Sequence, residues 1–144
     1  MATIDLLKAQ LLAASWAVYG NAPSNGIKPL IGADGAPMAM SAGSMVAAAY
    51  QTADGSIIIA YQGTTSNAQL VADTQILVGT IPPSFGAALT FATPLVQYAA
   101  SKGLPVHVTG HSFGGVEAAY VSNNQVIPGA SFCPPGLSDY HCAC

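Results

Sequence analysis

The residues of this sequence best suited to chemistry are a serine and two nearby glycines. Gly110, Ser112 and Gly114 satisfy the pattern G-x-S-x-G, in which a sharp turn between a strand and a helix holds a serine hydroxyl clear of the backbone. Such a turn is crowded, so the positions two before and two after the serine must be small. The pattern predicts that Ser112 is a nucleophile; the alternative is a plain glycine-rich turn that contains a serine.

The segments on either side of Ser112 are those that such a turn requires. Leu104 to Thr109 is a β-branched apolar run that predicts a strand leading into the serine. Phe113 to about Asn123 is compatible with a helix that leaves it. Val126 to Cys133 predicts one more short strand, which Pro134 ends.

A serine nucleophile needs a base to take its proton and a carboxylate to orient that base. His141 is the one histidine after Ser112, and Asp139 lies two residues before it. We expect His107 to be packed below the site, and His111 to be structural because neighbouring side chains diverge at the turn. Asp139 and His141 are therefore the candidate pair, although their spacing is awkward on an extended segment. A base from another subunit, or no competent base, are the alternatives.

Upstream of these segments the sequence predicts a hairpin. Ser44 to Thr52 and Ser56 to Gln62 are apolar, and Asp54-Gly55 between them is a strong signal for a tight turn, since both residues tolerate positive φ. The second strand is apolar on both faces, which places it inside the sheet. Asn21 to Ser41 is rich in Gly, Pro, Asn and Ser and predicts a long surface loop.

Three helices complete the predicted order of elements. Helices are expected over 68–77 and 84–101, the second closed by Gly103 and kinked at Pro94. Helices between strands imply crossovers and a parallel portion of sheet, so the fold class is α/β with a mixed sheet and one domain, 1–144. The first helix is predicted to bury Ile4, Leu7, Leu11, Ala14 and Val18, with Asp5, Lys8 and Ser15 off that face.

The composition limits the classes of partner. Only 6% of the 144 residues are charged, and three Lys or Arg provide no basic patch, which excludes nucleic acid as a partner. So few charges, with 51% hydrophobic residues, predict a homo-oligomer that buries apolar surface. No apolar run is long enough for a transmembrane segment. The N-terminus lacks a clear signal peptide, which slightly favours the cytoplasm.

The cysteines do not predict a structural framework. Three cysteines leave at least one unpaired in a monomer. Cys133, His141, Cys142 and Cys144 are a conceivable Cys3His set, but their spacing matches no common zinc pattern. We therefore predict neither a metal nor a cofactor.

Three stretches together resemble the class 3 lipases of the α/β-hydrolase fold. Ile57 to Thr64 is similar to that family's strand ending in an aromatic, a polar residue, Gly and Thr, and Thr109 to Gly115 closely matches its nucleophile turn. Asp73 falls near a family aspartate, and Ala130 to Gly136 is similar, more loosely, to the following strand and turn. The likeness runs from the first helix to about Gly136.

The resemblance implies a serine esterase or lipase that hydrolyses small uncharged carboxylic esters. It assigns Ser112 as nucleophile and implies an oxyanion hole made by the backbone N–H groups of Thr64 and Phe113; the alternative for Thr64 is a capping residue with no ligand. Fixed N–H dipoles at those positions would stabilise the negative charge that ester attack places on the carbonyl oxygen.

The sequence departs from the family after the serine. Only 32 of the 144 residues follow Ser112, whereas the family has further strands that carry its acid and histidine, so the fold is expected to be C-terminally truncated. An open sheet edge near Val126 to Cys133 is then expected, which also favours association. A catalytically incomplete scaffold that serves as an oligomeric binding or structural module, and a fragment of a longer hydrolase, are the alternatives to an active esterase.

Overall fold

The Asp54-Gly55 turn joins two antiparallel strands in the middle of a mixed sheet. The computed structural model describes residues 4–43, 45–63 and 83–132. Strands β3 (Met45–Gln51) and β4 (Ile57–Tyr61) pair antiparallel from Gln51 opposite Ile57 to Ala47 opposite Tyr61. Gly55 has a φ of 92°, which glycine adopts without steric cost. All five residues of β4 are buried, so the prediction of an interior strand is confirmed.

The second half of the sheet is parallel. Strand β5 (Val106–His111) runs parallel to β4, and β6 (Gly129–Phe132) runs parallel to β5. Helix α2 (Pro83–Lys102) precedes β5, and helix α3 (Phe113–Gln125) connects β5 to β6. Both helices and both strands overlap the predicted ones, although β5 begins and ends two residues later than predicted and β6 is shorter. Such crossovers keep parallel neighbours on one sheet with helices on its faces.

The edge beside β3 contains strands that the sequence did not predict. Within the expected loop from Asn21 to Ser41, β1 (Lys28–Pro29) and β2 (Ala39–Ala42) both pair antiparallel with β3. The prediction of a loop throughout was wrong here, because β3 offers a row of backbone groups that this segment can satisfy. The strand order is β1-β3-β4-β5-β6, with β2 also beside β3.

Helix α1 (Ile4–Ala17) covers one face of the sheet. Leu11, Ala14 and Val18 are buried, as predicted, against a cluster that includes Ile58. Ser15 was expected outside this face, but it is fully buried. Its hydroxyl donates a 2.6 Å hydrogen bond to the carbonyl of Leu12 in its own helix, which removes most of the cost of burying it.

The opposite face is covered by α2 and α3. Every second residue of β4 packs on this face, namely Ile57, Ile59 and Tyr61. They belong to one cluster with Leu95 of α2 and Val121 of α3. The sheet therefore lies between α1 and the pair α2 and α3, and the predicted α/β class with a partly antiparallel, partly parallel sheet is confirmed.

Helix α2 ends as the sequence predicts. Gly103 has a φ of 65°, and the N–H of Leu104 donates a 2.9 Å hydrogen bond to the carbonyl of Ala99, as a glycine-closed helix end requires. The helix continues through Pro94, which is on its exposed side. The helix predicted over 68–77 lies outside the described residues. No helix in the described ranges has the length and apolarity needed to cross a membrane.

Candidate functional site

The turn between β5 and α3 places Ser112 in a backbone conformation that few residues other than glycine adopt. Its φ is 56° and its ψ is −125°, a combination that costs on the order of 1–3 kcal/mol and persists only where neighbours hold it. The N–H of Ser112 donates to the carbonyl of Phe132 at 2.8 Å, and its carbonyl accepts from the N–H of Gly115 at 2.9 Å. Backbone hydrogen bonds on both sides thus fix the turn.

The two glycines of the motif are required by close backbone contacts. A Cβ built on Gly110 would overlap the carbonyl oxygen of Gly114, and a Cβ built on Gly114 would overlap the carbonyl oxygen of Tyr61. The first contact lets the helix fold back on the strand, and the second lets α3 approach the end of β4. The spacing G-x-S-x-G therefore has the steric origin that the sequence suggested.

The Ser112 hydroxyl is not used to close the helix. Serine before a helix usually accepts a hydrogen bond from a backbone N–H of the first turn, but Ser112 makes no such side-chain bond to α3. The residue is half-buried. Its hydroxyl is thus left for another partner.

The end of β4 lies directly against the serine. A Cβ built on Gly63 would overlap the Tyr19 hydroxyl, would lie 2.6 Å from the carbonyl oxygen of His111 and would lie 3.2 Å from the Cβ of Ser112. The N–H of Gly63 donates a 2.7 Å hydrogen bond to the Tyr19 hydroxyl. The structure therefore brings together the end of the segment Ile57 to Thr64 and the G-x-S-x-G turn, which are far apart in the chain. Thr64, the next residue, lies outside the described residues.

Phe113 begins α3, so its N–H belongs to the first turn of the helix, where backbone donors lack partners within the helix. Those donors and the positive end of the helix dipole favour negative charge at this point. The Phe113 ring is fully buried, with its centroid 6.2 Å from that of Phe85 on α2. This packing fixes the start of the helix relative to Ser112.

The two histidines of β5 are placed differently. His111, next to Ser112, stacks on Trp16 with ring centroids 5.2 Å apart and planes at 23°, and it meets the edge of Tyr19. His107 is half-buried, and its Nδ1 is buried with no hydrogen-bond partner in the described part of the chain. Burial lowers the pKa of His107, which the Asp54 carboxylate partly opposes. Among the described residues, neither histidine is paired with a carboxylate that could orient it as a base.

His141 and Asp139 lie outside the described residues, as do Asp73 and the cysteines at 133, 142 and 144. Across residues 4–43, 45–63 and 83–132, no group of three or more His, Cys, Asp and Glu is arranged to hold a metal ion.

Three residues near the turn were missed by the sequence reasoning. Trp16, in α1, and Tyr19, just after it, contact the site. The sequence pattern of α1 indicated only a helix that packs against the core. Glu117 is fully buried on α3. Burial, and then the charge of Glu117, raise the pKa of Tyr61. Of these three residues, only Glu117 had a signal in the sequence, as the one acidic residue in the run from Val116 to Val121.

A solved structure has a fold similar to that of this chain. A fungal lipase, determined in complex with an inhibitor, superposes with a TM-score of 0.57 and 19% sequence identity, over 84% of this chain and 54% of the lipase. The fold is lipase-like. This chain spans about half the length of that lipase. No protein-family model matches the sequence, and no curated protein matches it.

Proposed function

We propose that this protein is a serine hydrolase that acts on neutral carboxylic esters through an acyl-enzyme on Ser112, in the manner of the class 3 lipases. The observation that carries the proposal is the strained turn at Ser112, with its hydroxyl unused by α3 and Gly63 packed against its side chain. Strain of this kind is concentrated at functional sites, where surrounding contacts hold a reactive group in place.

The proposed reaction has two steps. The Oγ of Ser112 attacks the ester carbonyl carbon as a base takes its proton, and the alcohol leaves with a proton to give the acyl-enzyme. Water then attacks the acyl carbon, which releases the acid and restores the serine. Both steps place negative charge on the former carbonyl oxygen. The N–H of Phe113, at the start of α3, is one proposed donor to it, and the N–H of Thr64 is the second.

The proposed base is His141, oriented by Asp139. A base from another subunit, or from a longer form of the protein, would serve the same chemistry. A neutral substrate is favoured because the sequence has three Lys or Arg and six Asp or Glu in 144 residues, so few charges are available to bind a charged ester.

One observation favours a second candidate function. The described residues bring no histidine and carboxylate together at Ser112. A catalytically incomplete scaffold that acts as an oligomeric binding or structural module is therefore the alternative. The homo-oligomer remains a prediction under either function.

Labelling with a fluorophosphonate tests the proposal directly. An activated serine displaces fluoride and forms a bond from Oγ to phosphorus, so tandem mass spectrometry should find the adduct on Ser112. Ser112→Ala should stay unlabelled, while Ser101→Ala, at an exposed serine near the end of α2, should label as the wild type does. A wild type that is folded by circular dichroism and yet unlabelled would reject the nucleophile and favour the scaffold.

A further inference from the structure

The Tyr19 hydroxyl is a polar group beside Ser112 that the proposed mechanism does not use. Tyr19 follows the end of α1, and its ring meets His111 edge-on with centroids 6.4 Å apart. This contact and the 2.7 Å hydrogen bond from the N–H of Gly63 hold the ring and its hydroxyl in one position.

One glycine separates this hydroxyl from the candidate nucleophile. The Cβ that Gly63 lacks would overlap the Tyr19 hydroxyl and would lie 3.2 Å from the Cβ of Ser112. The tyrosine oxygen and the serine side chain therefore flank the same small volume at the end of β4. An ester carbonyl under attack by Ser112 Oγ must come close to that volume.

The Tyr19 hydroxyl has a proton to donate. A phenol has one O–H donor and an oxygen that accepts, and here the oxygen accepts from Gly63, so the proton must point elsewhere. No acceptor for it is found among the residues that the structure describes. Burial raises the pKa of Tyr19, with the Gly63 hydrogen bond opposing, so the phenol keeps its proton at neutral pH.

We propose that Tyr19 is a catalytic residue whose O–H donates a hydrogen bond to the carbonyl oxygen of an ester bound at Ser112, alongside the N–H of Phe113. This inference rests on the proposed function. As the bond from Ser112 Oγ to the carbonyl carbon forms, the π electron pair of the C=O moves onto oxygen. The Tyr19 hydroxyl stabilises that charge and keeps its proton, so the base that activates Ser112 is a separate group.

The variant Tyr19→Phe removes the hydroxyl and keeps the ring. With a short p-nitrophenyl ester as substrate, kcat should fall about 100-fold, the usual cost of one oxyanion donor. KM should change little, because the interaction forms mainly in the transition state. Tyr98→Phe is the matched control, since Tyr98 is an exposed residue of α2, and its kcat should equal that of the wild type.

A second measurement separates donation from a purely structural role. Phenolate has no proton to donate, so kcat should fall at alkaline pH as Tyr19 ionises. Biosynthetic incorporation of 3-fluorotyrosine, which is more acidic than tyrosine, should move that fall to lower pH. In a Tyr19→Phe background the same incorporation should leave the pH profile where it was, because a ring that only packs has no such response.

The outcomes are distinct. Equal kcat values for wild type and Tyr19→Phe would overturn the role of Tyr19 and leave the acyl-enzyme on Ser112 standing. A reduced kcat whose pH profile ignores fluorotyrosine would also overturn donation. A wild type that neither turns over the ester nor reacts with a fluorophosphonate would overturn the proposed function, and this inference with it.

Discussion

Helix α3 is preceded and followed by residues with positive φ, and the two ends differ in what surrounds them. Ser112 has a φ of 56°, and Val126, after the helix, has a φ of 54°. Ser112 is enclosed by backbone of β4 and β6 and by the glycines of its own turn. Val126 is 89% exposed, and its N–H caps the helix by donating to the carbonyl of Ser122.

The difference teaches how backbone strain should be interpreted. At Val126 the left-handed conformation is an ordinary helix end, for which glycine or asparagine would serve better than a β-branched residue. At Ser112 the ψ of −125° lies outside that ordinary helix-ending geometry, and close contacts from three directions maintain it. Strain supports a functional proposal only where the surroundings enforce it.

The largest expected effect concerns the contacts that enforce the turn. Gly114→Ala would drive a methyl group into the carbonyl oxygen of Tyr61, and overpacking of this kind costs about 1–3 kcal/mol, occasionally more. We expect the midpoint of urea unfolding to fall accordingly. A variant as stable as the wild type would show that the turn is not held by this contact.

Gly86→Ala is the matched control, because it makes the same change in another helix. A Cβ on Gly86 would meet nothing within 4 Å, and no positive φ requires glycine there. Alanine in a helix is favoured over glycine by about 0.5–1 kcal/mol. Gly86→Ala should therefore raise the unfolding midpoint, opposite in sign to Gly114→Ala.

A smaller effect is expected at the other end of α3. Val126→Gly should stabilise the protein by about 1 kcal/mol, because the left-handed conformation costs an L-residue roughly 1–2 kcal/mol and glycine loses part of that gain through its greater freedom when unfolded. Little packing is lost, since the side chain is 89% exposed. Val126→Ala, which keeps a Cβ, should gain less. A destabilised Val126→Gly in urea unfolding would contradict the cost assigned to the left-handed valine.

The sequence predicted the parts of the fold that short-range signals specify. Asp54-Gly55 located the hairpin, and the glycines around Ser112 located the turn, because each needs only local backbone geometry. The strands β1 and β2 were missed, since their stability comes from pairing with β3 and the segment from Asn21 to Ser41 is rich in Gly, Pro, Asn and Ser.

The candidate site was predicted only in part for the same reason. Ser112 and Phe113 are neighbours in sequence, so one motif locates both. The contact of Tyr19 with Gly63 joins residues 44 positions apart, and no local pattern encodes it. The buried Ser15 shows the same limit, because its hydroxyl is satisfied within α1 and so does not oppose burial.

The smallest effect is expected at the start of β5, the far end of the strand from Ser112. Burial lowers the pKa of His107 from its ordinary value of 6.5, so below about pH 6.5 the unfolded chain takes up a proton that the folded protein resists. Stability should therefore fall as pH drops through and below that value. His107→Gln should lack this part of the pH dependence. In urea unfolding between pH 8 and pH 5, the midpoint of the wild type should therefore fall toward that of the variant as the pH is lowered. Parallel curves would contradict the buried, neutral His107. Comparing His107→Gln with Gly114→Ala would test whether substitutions at the Ser112 end of this strand cost more stability than those at its beginning.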